Sequence, residues 1–304
     1  MITPAPLKTG DKVGITATAR KVKPEELLSA INIIKSWGLE VRLSPSLYEE
    51  DNQFAGNDKV RASDFQAMLK DEDIKAIFCA RGGYGTVRIL EHIDFSALKT
   101  HPKWIVGFSD TTVLHSHIHQ NAGVKTLHAP MPLTFANSPE GINALTTLHL
   151  TLFGLKPDYS VNPHPLNRIG TTQGTLVGGN LSVLYSLIGS ESDLDTNNKI
   201  LFIEDLDEYL YHIDRMMVSF KRSGKLSKLK GLIVGSMSDM HDNAIPFGKN
   251  AFEIISDAVS TYDYPVCFGF PAGHQDLNLP LIMGNEIRLI VEANKAYLSF
   301  IEPD

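Results

Sequence analysis

Short apolar runs separated by helix-length stretches constrain this chain more than any other feature. A first run centres on Val13 and Ile15, and Val41–Leu43, Ile74–Cys79 and Trp104–Val106 follow, each of strand length. Between them, Pro24–Trp37 places Leu27, Leu28, Ile31 and Ile34 on one helical face and stops at Gly38, and Val60–Leu69 turns Phe65 and Leu69 inward. Strand, helix, strand in repetition is the signature of a parallel sheet covered on both faces. The first half, residues 1–157, is therefore expected to be a parallel-sheet α/β domain. Proline, asparagine and glycine crowd the next stretch, and 158–172 reads as a linker. Residues 173–304 read as a C-terminal domain of mixed α/β type. Its helices fall near Leu181–Ile188, Tyr209–Phe220 and Phe252–Val259, and its strands at Lys199–Ile203, Leu232–Val234 and Val266–Gly269. The tail, Leu279–Met283, Ile287–Val291 and Tyr297–Ile301, is expected to form antiparallel strands.

Composition removes several function classes. At 304 residues and 43% hydrophobic, the chain can bury the cores of two medium domains. Its net charge of −7, with lysine and arginine scattered, argues against a nucleic-acid-binding face. Cys79 and Cys267 both lie in apolar runs, which favours buried thiols in a reducing compartment over a disulfide framework. The first residues lack the apolar core of a signal peptide, and no apolar run approaches the length of a membrane-spanning helix. The expectation is a soluble, cytoplasmic protein without a membrane partner.

In open parallel sheets, ligands collect at the carboxyl ends of strands, and the chemistry-bearing residues stand there. Ser109 falls where the Trp104–Val106 strand stops and a helix with Val113, Leu114 and Ile118 begins. That is the place of a nucleophile elbow, which lifts a hydroxyl above the sheet beside backbone N–H groups. Gly-x-Ser-x-Gly would need glycine at 111, where the chain has Thr111, so a plain helix cap is the competing reading. A serine nucleophile needs a base, and the base a carboxylate to orient it. Glu204 leaves the Ile200–Ile203 strand, and His274 follows the Phe270–Gly273 turn; a surface acid and a satisfied loop histidine are the bland alternatives. Arg81-Gly82-Gly83-Tyr84-Gly85 ends the third strand and lacks the spacing of a nucleotide fingerprint. Its backbone suits an oxyanion or a substrate carboxylate better. His115 and His119 share a helical face and could pair on a metal, or simply pack; the acids Glu204, Asp205, Asp207 and Glu208 could hold a hard cation. Cys79, inside an apolar strand, reads as an inert thiol. No metal and no cofactor is expected.

Six segments occur in order: Cys79-Ala80-Arg81-Gly82-Gly83-Tyr84-Gly85, Gly107-Phe108-Ser109-Asp110, Gly178-Gly179-Asn180-Leu181, Phe202-Ile203-Glu204-Asp205, Ile213-Asp214-Arg215 and Gly269-Phe270-Pro271-Ala272-Gly273-His274. Together they resemble the LD-carboxypeptidases, serine peptidase family S66, which includes the microcin C immunity peptidases. The resemblance spans about Gly10 to Leu289. It implies a catalytic triad of Ser109, Glu204 and His274, with Gly-x-Ser-Asp as the family's form of the elbow. It also implies an α/β N-terminal domain joined to a mixed C-terminal one, usually as a homodimer. The implied reaction removes the terminal D-alanine from murein tetrapeptides at the L-centre of a diamino acid, through an acyl-enzyme. Backbone N–H groups of Asp110 and Gly83 are then expected to form the oxyanion hole. Arg81, with Gly82, is expected to meet the substrate and its free carboxylate. A microcin C immunity-type peptidase acting on peptidyl-nucleotides is the alternative, because the triad is common to both.

Overall fold

The computed structural model describes residues 1–301. By internal contacts the chain divides into two units, 1–155 with 276–282, and 156–275 with the segment from Met283 onward. In the first unit, β1 (Lys12–Thr16), β2 (Glu40–Leu43), β3 (Ile74–Cys79), β4 (Trp104–Gly107) and β5 (Thr126–His128) alternate with helices. The helices are α1 (Pro24–Ser36), α2 (Asp58–Lys70), the single turn α3 (Ala97–Thr100) and α4 (Thr112–Asn121); α5 (Pro139–Leu152) follows. Proline opens α1, with Glu25 and Glu26 in its first turn, and the Asn57 side chain caps α2 by accepting from Val60 N–H.

Strands β2, β1, β3, β4 and β5 lie side by side in that order, all parallel. The order reverses between β1 and β3, because β2 lies on one side of β1 and β3 on the other. Loops leaving the carboxyl ends at such a reversal diverge and open a crevice. Here those loops are Ala17–Arg20 and Ala80–Gly85. A buried arginine ties them together: Arg61 of α2 donates from Nη1 to the carbonyl oxygens of Thr18 and Gly85, the latter at 2.9 Å. Asp58 neutralises its charge and the Phe54 ring stacks beneath it at 4.9 Å. Phe65, Leu69, Ile77, Ile89, Ile105 and Leu114 form the core under these loops.

The second unit is a seven-stranded sheet built from β6 (Asp158–Val161), β7 (Gly170–Asn180), β8 (Ile200–Leu206), β9 (Gly231–Ser238), β10 (Val266–Phe268), β12 (Glu286–Val291) and β13 (Ala296–Phe300). Strands β7 to β10 are parallel and connected through α6 (Leu181–Ser186), α7 (Leu210–Arg222) and α8 (Ala251–Ala258). Strands β12, β13 and β6 add antiparallel partners beyond β7. The eleven-residue β7 belongs to both halves, pairing β12 through its first residues and β8 through its last. Val177, Leu201, Ile203, Ile213, Met216, Ile255 and Phe268 sit in the core between the parallel half and its helices.

Three details differ from the sequence expectation. The 158–172 stretch supplies β6 and the start of β7, so its prolines bend the chain between two strands of one sheet. The last strand of the first sheet, β11 (Leu281–Met283), pairs beside β5 and belongs to a different sheet from β12 and β13. A three-residue apolar strand holds no periodicity that could say which sheet it joins. The third is α5, unassigned on sequence, although Ser138-Pro139 at its start is a recognisable cap, with Ser138 accepting from Gly141 N–H at 3.1 Å.

The pairing of β7 with β8 is exceptionally close at Gly178. A Cβ there would lie 1.9 Å from the Phe202 carbonyl oxygen, at φ +130°. Gly178→Ala is expected to cost upwards of about 3 kcal/mol in denaturant unfolding. Gly189→Ala, at φ +83° with open space around it, should cost only backbone strain of about 1 kcal/mol.

Candidate active site

In the first unit the elbow forms as a strained junction. Strand β4 ends at Gly107, a 3-10 turn spans Ser109–Thr111, and α4 begins at Thr112. Ser109 itself has φ +59°, a conformation L-residues other than asparagine and aspartate seldom adopt. Such strain costs of order 1–3 kcal/mol and persists where the surroundings over-determine it. Two contacts do so here. Gly107 lies against Thr111, where a Cβ would come within 2.6 Å of Oγ1, so the strand can fold tightly onto the turn. Asp110, buried, accepts from Thr86 N–H at 2.8 Å and so fastens the elbow to the glycine loop after β3. Burial pushes the Asp110 carboxyl above its usual range; the Thr86 bonds and the cations Arg61 and Arg20 counter it.

The glycine loop lies directly over the serine. A Cβ at Gly82 would be 3.0 Å from Ser109 Cβ and 3.1 Å from its Oγ, so only glycine lets the backbone approach this closely. Gly83 follows at φ +110°, with the Arg20 side chain across it. Arg81 is half-buried, and its Nη1 donates to the Lys21 carbonyl oxygen at 3.1 Å. Burial, then repulsion from Arg20, lowers its pKa. Ser109, Asp110, Gly82, Gly83 and Arg81 thus share one strand-end site within this unit. Arg20 and Arg61 belong to it as well and escaped the sequence reading. The available signal for Arg20 was its position just past β1.

In the second unit β8 delivers Glu204 with its side chain wholly buried. Opposite it, β9 carries one extra residue: Ile203 faces Val234, while Asp205 faces Met237. This bulge holds Gly235 and Ser236 and re-aims the strand end. Gly235 has no room for a Cβ, which would lie 2.4 Å from the Ala272 carbonyl oxygen and 3.1 Å from Glu204 Cβ. The turn before His274 therefore packs straight onto the bulge, held by Phe270 N–H to Val234 O and Ser236 N–H to Ala272 O, each 3.0 Å. Gly273, at φ +117°, would otherwise place a Cβ 2.8 Å from Glu204 Oε2. Ser238 Oγ donates to the His274 carbonyl oxygen at 2.7 Å. The result is His274 Nδ1 at 2.7 Å from Glu204 Oε2. Burial works to lower the His274 pKa, but the Glu204 charge and hydrogen bond, with Asp205 behind them, raise it.

The remaining candidates are held in structural pairs. Asp205, pushed up to about 7 by burial and by Glu204, accepts from Asn180 Nδ2 at 2.9 Å and from Ser182 N–H at 2.8 Å, at the start of α6. Asp207 pairs with His241 and Glu208 with His212, so these acids point to separate partners. His115 Nε2 bonds the Gly107 carbonyl oxygen at 2.9 Å, and His119 Nε2 the Thr126 hydroxyl at 3.0 Å; both pack α4 on the sheet. Burial brings the His115 pKa down to about 4, leaving a neutral ring that packs against Gly107, and the Cys79 thiol up to about 11, which keeps the thiol protonated and inert at neutral pH.

Residues 13–129 match the model of the LD-carboxypeptidase N-terminal domain and residues 173–289 that of the LD-carboxypeptidase C-terminal domain. The chain belongs to the LD-carboxypeptidase family. It is accordingly a serine carboxypeptidase. A Bacillus subtilis (strain 168) relative named "Probable murein peptide carboxypeptidase" is 36% identical, over 92% of this chain and 89% of its own. The crystal structure of muramoyltetrapeptide carboxypeptidase from Oxalobacter formigenes superposes with a TM-score of 0.87 at 29% identity, over 96% of this chain and 99% of that one. The microcin C7 self-immunity protein MccF of Escherichia coli is 24% identical, over 98% of this chain and 95% of its own. Among LD-carboxypeptidases, then, this chain presents a strained serine in one unit and a buried glutamate–histidine pair in the other.

Because Glu204 and Asp205 favour the imidazolium, His274 should titrate above its ordinary 6.5. The protonated ring then adds stability below pH 6.5, and that contribution is lost as pH rises through the folded-state value. Imidazole NMR titration of wild type and Glu204→Gln checks this: the variant should titrate lower, since burial then acts with less opposition.

Proposed function

We propose that this serine carboxypeptidase hydrolyses the bond between the L-centre of a diamino acid and the C-terminal D-alanine of murein tetrapeptides. The observation that carries the reading is the His274–Glu204 pair at 2.7 Å, in a chain whose serine is held at φ +59° at a strand end. In the proposed reaction Ser109, Glu204 and His274 act as one triad. His274, its Nδ1–H fixed on Glu204, takes the Ser109 proton at Nε2 while Oγ attacks the scissile carbonyl. The Glu204 carboxylate stabilises the imidazolium that forms. Backbone N–H groups of Asp110 and Gly83 donate to the oxyanion, each worth roughly 3 kcal/mol. The imidazolium protonates the departing D-alanine amine, leaving an acyl-Ser109 ester. Water, deprotonated by the same His274, then releases the shortened peptide and restores the serine.

Substrate placement falls to the glycine loop. Gly82 lets the loop itself lie close over Ser109, and Arg81 attracts the terminal carboxylate. The murein substrate is supported by the names of the Bacillus subtilis and Oxalobacter formigenes relatives. We place the reaction in the cytoplasm, in keeping with two buried free cysteines, and assign a homodimer by resemblance to the family.

The test is mass spectrometry of products from tetrapeptides ending in D-alanine or L-alanine, with wild type and Ser109→Ala. Wild type should release the D-residue alone. Ser109→Ala should lose at least about 10⁴-fold in kcat without a change in thermal stability. Equal release of both stereoisomers would sink the LD assignment. Faster cleavage of a peptidyl-nucleotide than of the tetrapeptide would move the assignment to the immunity-type reading.

A further inference from the structure

A carboxypeptidase that removes one residue faces a tight spatial demand. The leaving residue's carboxylate lies only about 4–5 Å from the scissile carbonyl. Cations that recognise it must therefore stand in the loops beside the nucleophile. Two arginines meet that condition at the reversal of strand order between β1 and β3. Arg81 leaves β3, and Arg20 stands just beyond β1.

Arg20 is exposed, and its stem crosses the glycine loop. A Cβ at Gly83 would sit 2.6 Å from Arg20 Cδ and 2.8 Å from its Cγ and Nε. The adjacent Gly82 is the residue that touches Ser109 Cβ and Oγ. The arginine thus enters the site over the loop that covers the serine. Arg81 is tied to the same segment through its bond to the carbonyl oxygen of Lys21, the residue after Arg20. Its Nε is buried and has no hydrogen-bond partner among the described residues. No carboxylate among the described residues forms an ion pair with Arg20, although the chain has 35 acidic residues. Burial first, and then the charge of Arg20, lowers the Arg81 pKa, so the two cations feel each other. Glu26 and Asp110 act on these cations only through their charge, without an ion pair to either, so both guanidiniums keep donors for one carboxylate.

The geometry points to Arg20 as the second arm of a clamp, with Arg81, that holds the C-terminal carboxylate of the residue to be released. This assignment rests on the carboxypeptidase reading above. It makes Arg20 a specificity residue, because it separates a free C-terminus from an internal or capped one. The glycine at 83 acquires a second purpose, since any side chain there would displace the arginine.

The experiment compares wild type, Arg20→Ala and Arg20→Lys on two tetrapeptides, one ending in free D-alanine and one in its carboxamide. On the free acid, Arg20→Ala should lose roughly 10- to 100-fold in kcat/KM, chiefly through KM, and Arg20→Lys less. Wild type should lose a similar factor on passing from acid to carboxamide. On the carboxamide, wild type and Arg20→Ala should agree within about threefold, because the anion that Arg20 reads is gone. An equal loss on both substrates would overturn the clamp and leave Arg20 a packing residue over Gly83. No loss on either would overturn it too. A wild type inactive on both substrates would overturn the tetrapeptide reading and the clamp with it. That result is separate from an active wild type with an indifferent Arg20→Ala.

Discussion

A carboxylate with no exposed surface, Glu204, sets the terms for the second unit. Removing a carboxylate from water costs several kcal/mol unless charge and hydrogen bonds meet it. His274 meets it, and the local backbone is arranged to make the meeting possible. The bulge in β9, the missing side chains of Gly235 and Gly273, and the turn laced to Val234 and Ser236 all serve one distance of 2.7 Å. Substituting any of these glycines would push on the glutamate itself. The neighbouring Asp205 adds to the same field while tying β8 to the start of α6, so the strand end is anchored on both sides.

The first unit solves the complementary problem, a hydroxyl held away from its relaxed backbone conformation. Strain at Ser109 is borne by the contact of Gly107 with Thr111 and by Asp110 bound to Thr86, with Gly82 packed over the serine. Arg61 extends this framework downward by joining the loops after β1 and β3 to α2. The elbow and the glycine loop are therefore fastened to each other at the carboxyl ends of a sheet ordered 2-1-3-4-5.

Much of this was legible in the sequence. Short apolar runs against helical periodicity marked out most of β1 to β5 and both kinds of domain. Strand-end positions singled out Ser109, Glu204 and His274, and an ordered set of motifs joined them into a family. What escaped detection had weak local signals. Arg61 looks like an ordinary helix residue until it is found fully buried. Arg20 sits in the short loop Thr18-Ala19-Arg20-Lys21, marked only by its position just past β1. β11 is too short to declare its sheet, and the 158–172 stretch has turn composition although it contains strand.

The amino-acid sequence by itself determined most of the element types, the approximate order of strands and helices, and the chemical kinds of group available at strand ends. Those follow from periodicity and backbone preference, which act over a few residues. Tertiary structure alone decided that Ser109 adopts φ +59°, that β9 bulges opposite Glu204, and that β11 joins the first sheet. It also decided that Arg20 crosses Gly83. Each of these depends on contacts between residues far apart in the chain, such as Gly82 with Ser109 or Gly273 with Glu204. Their energies arise from close packing and desolvation, which no local pattern encodes.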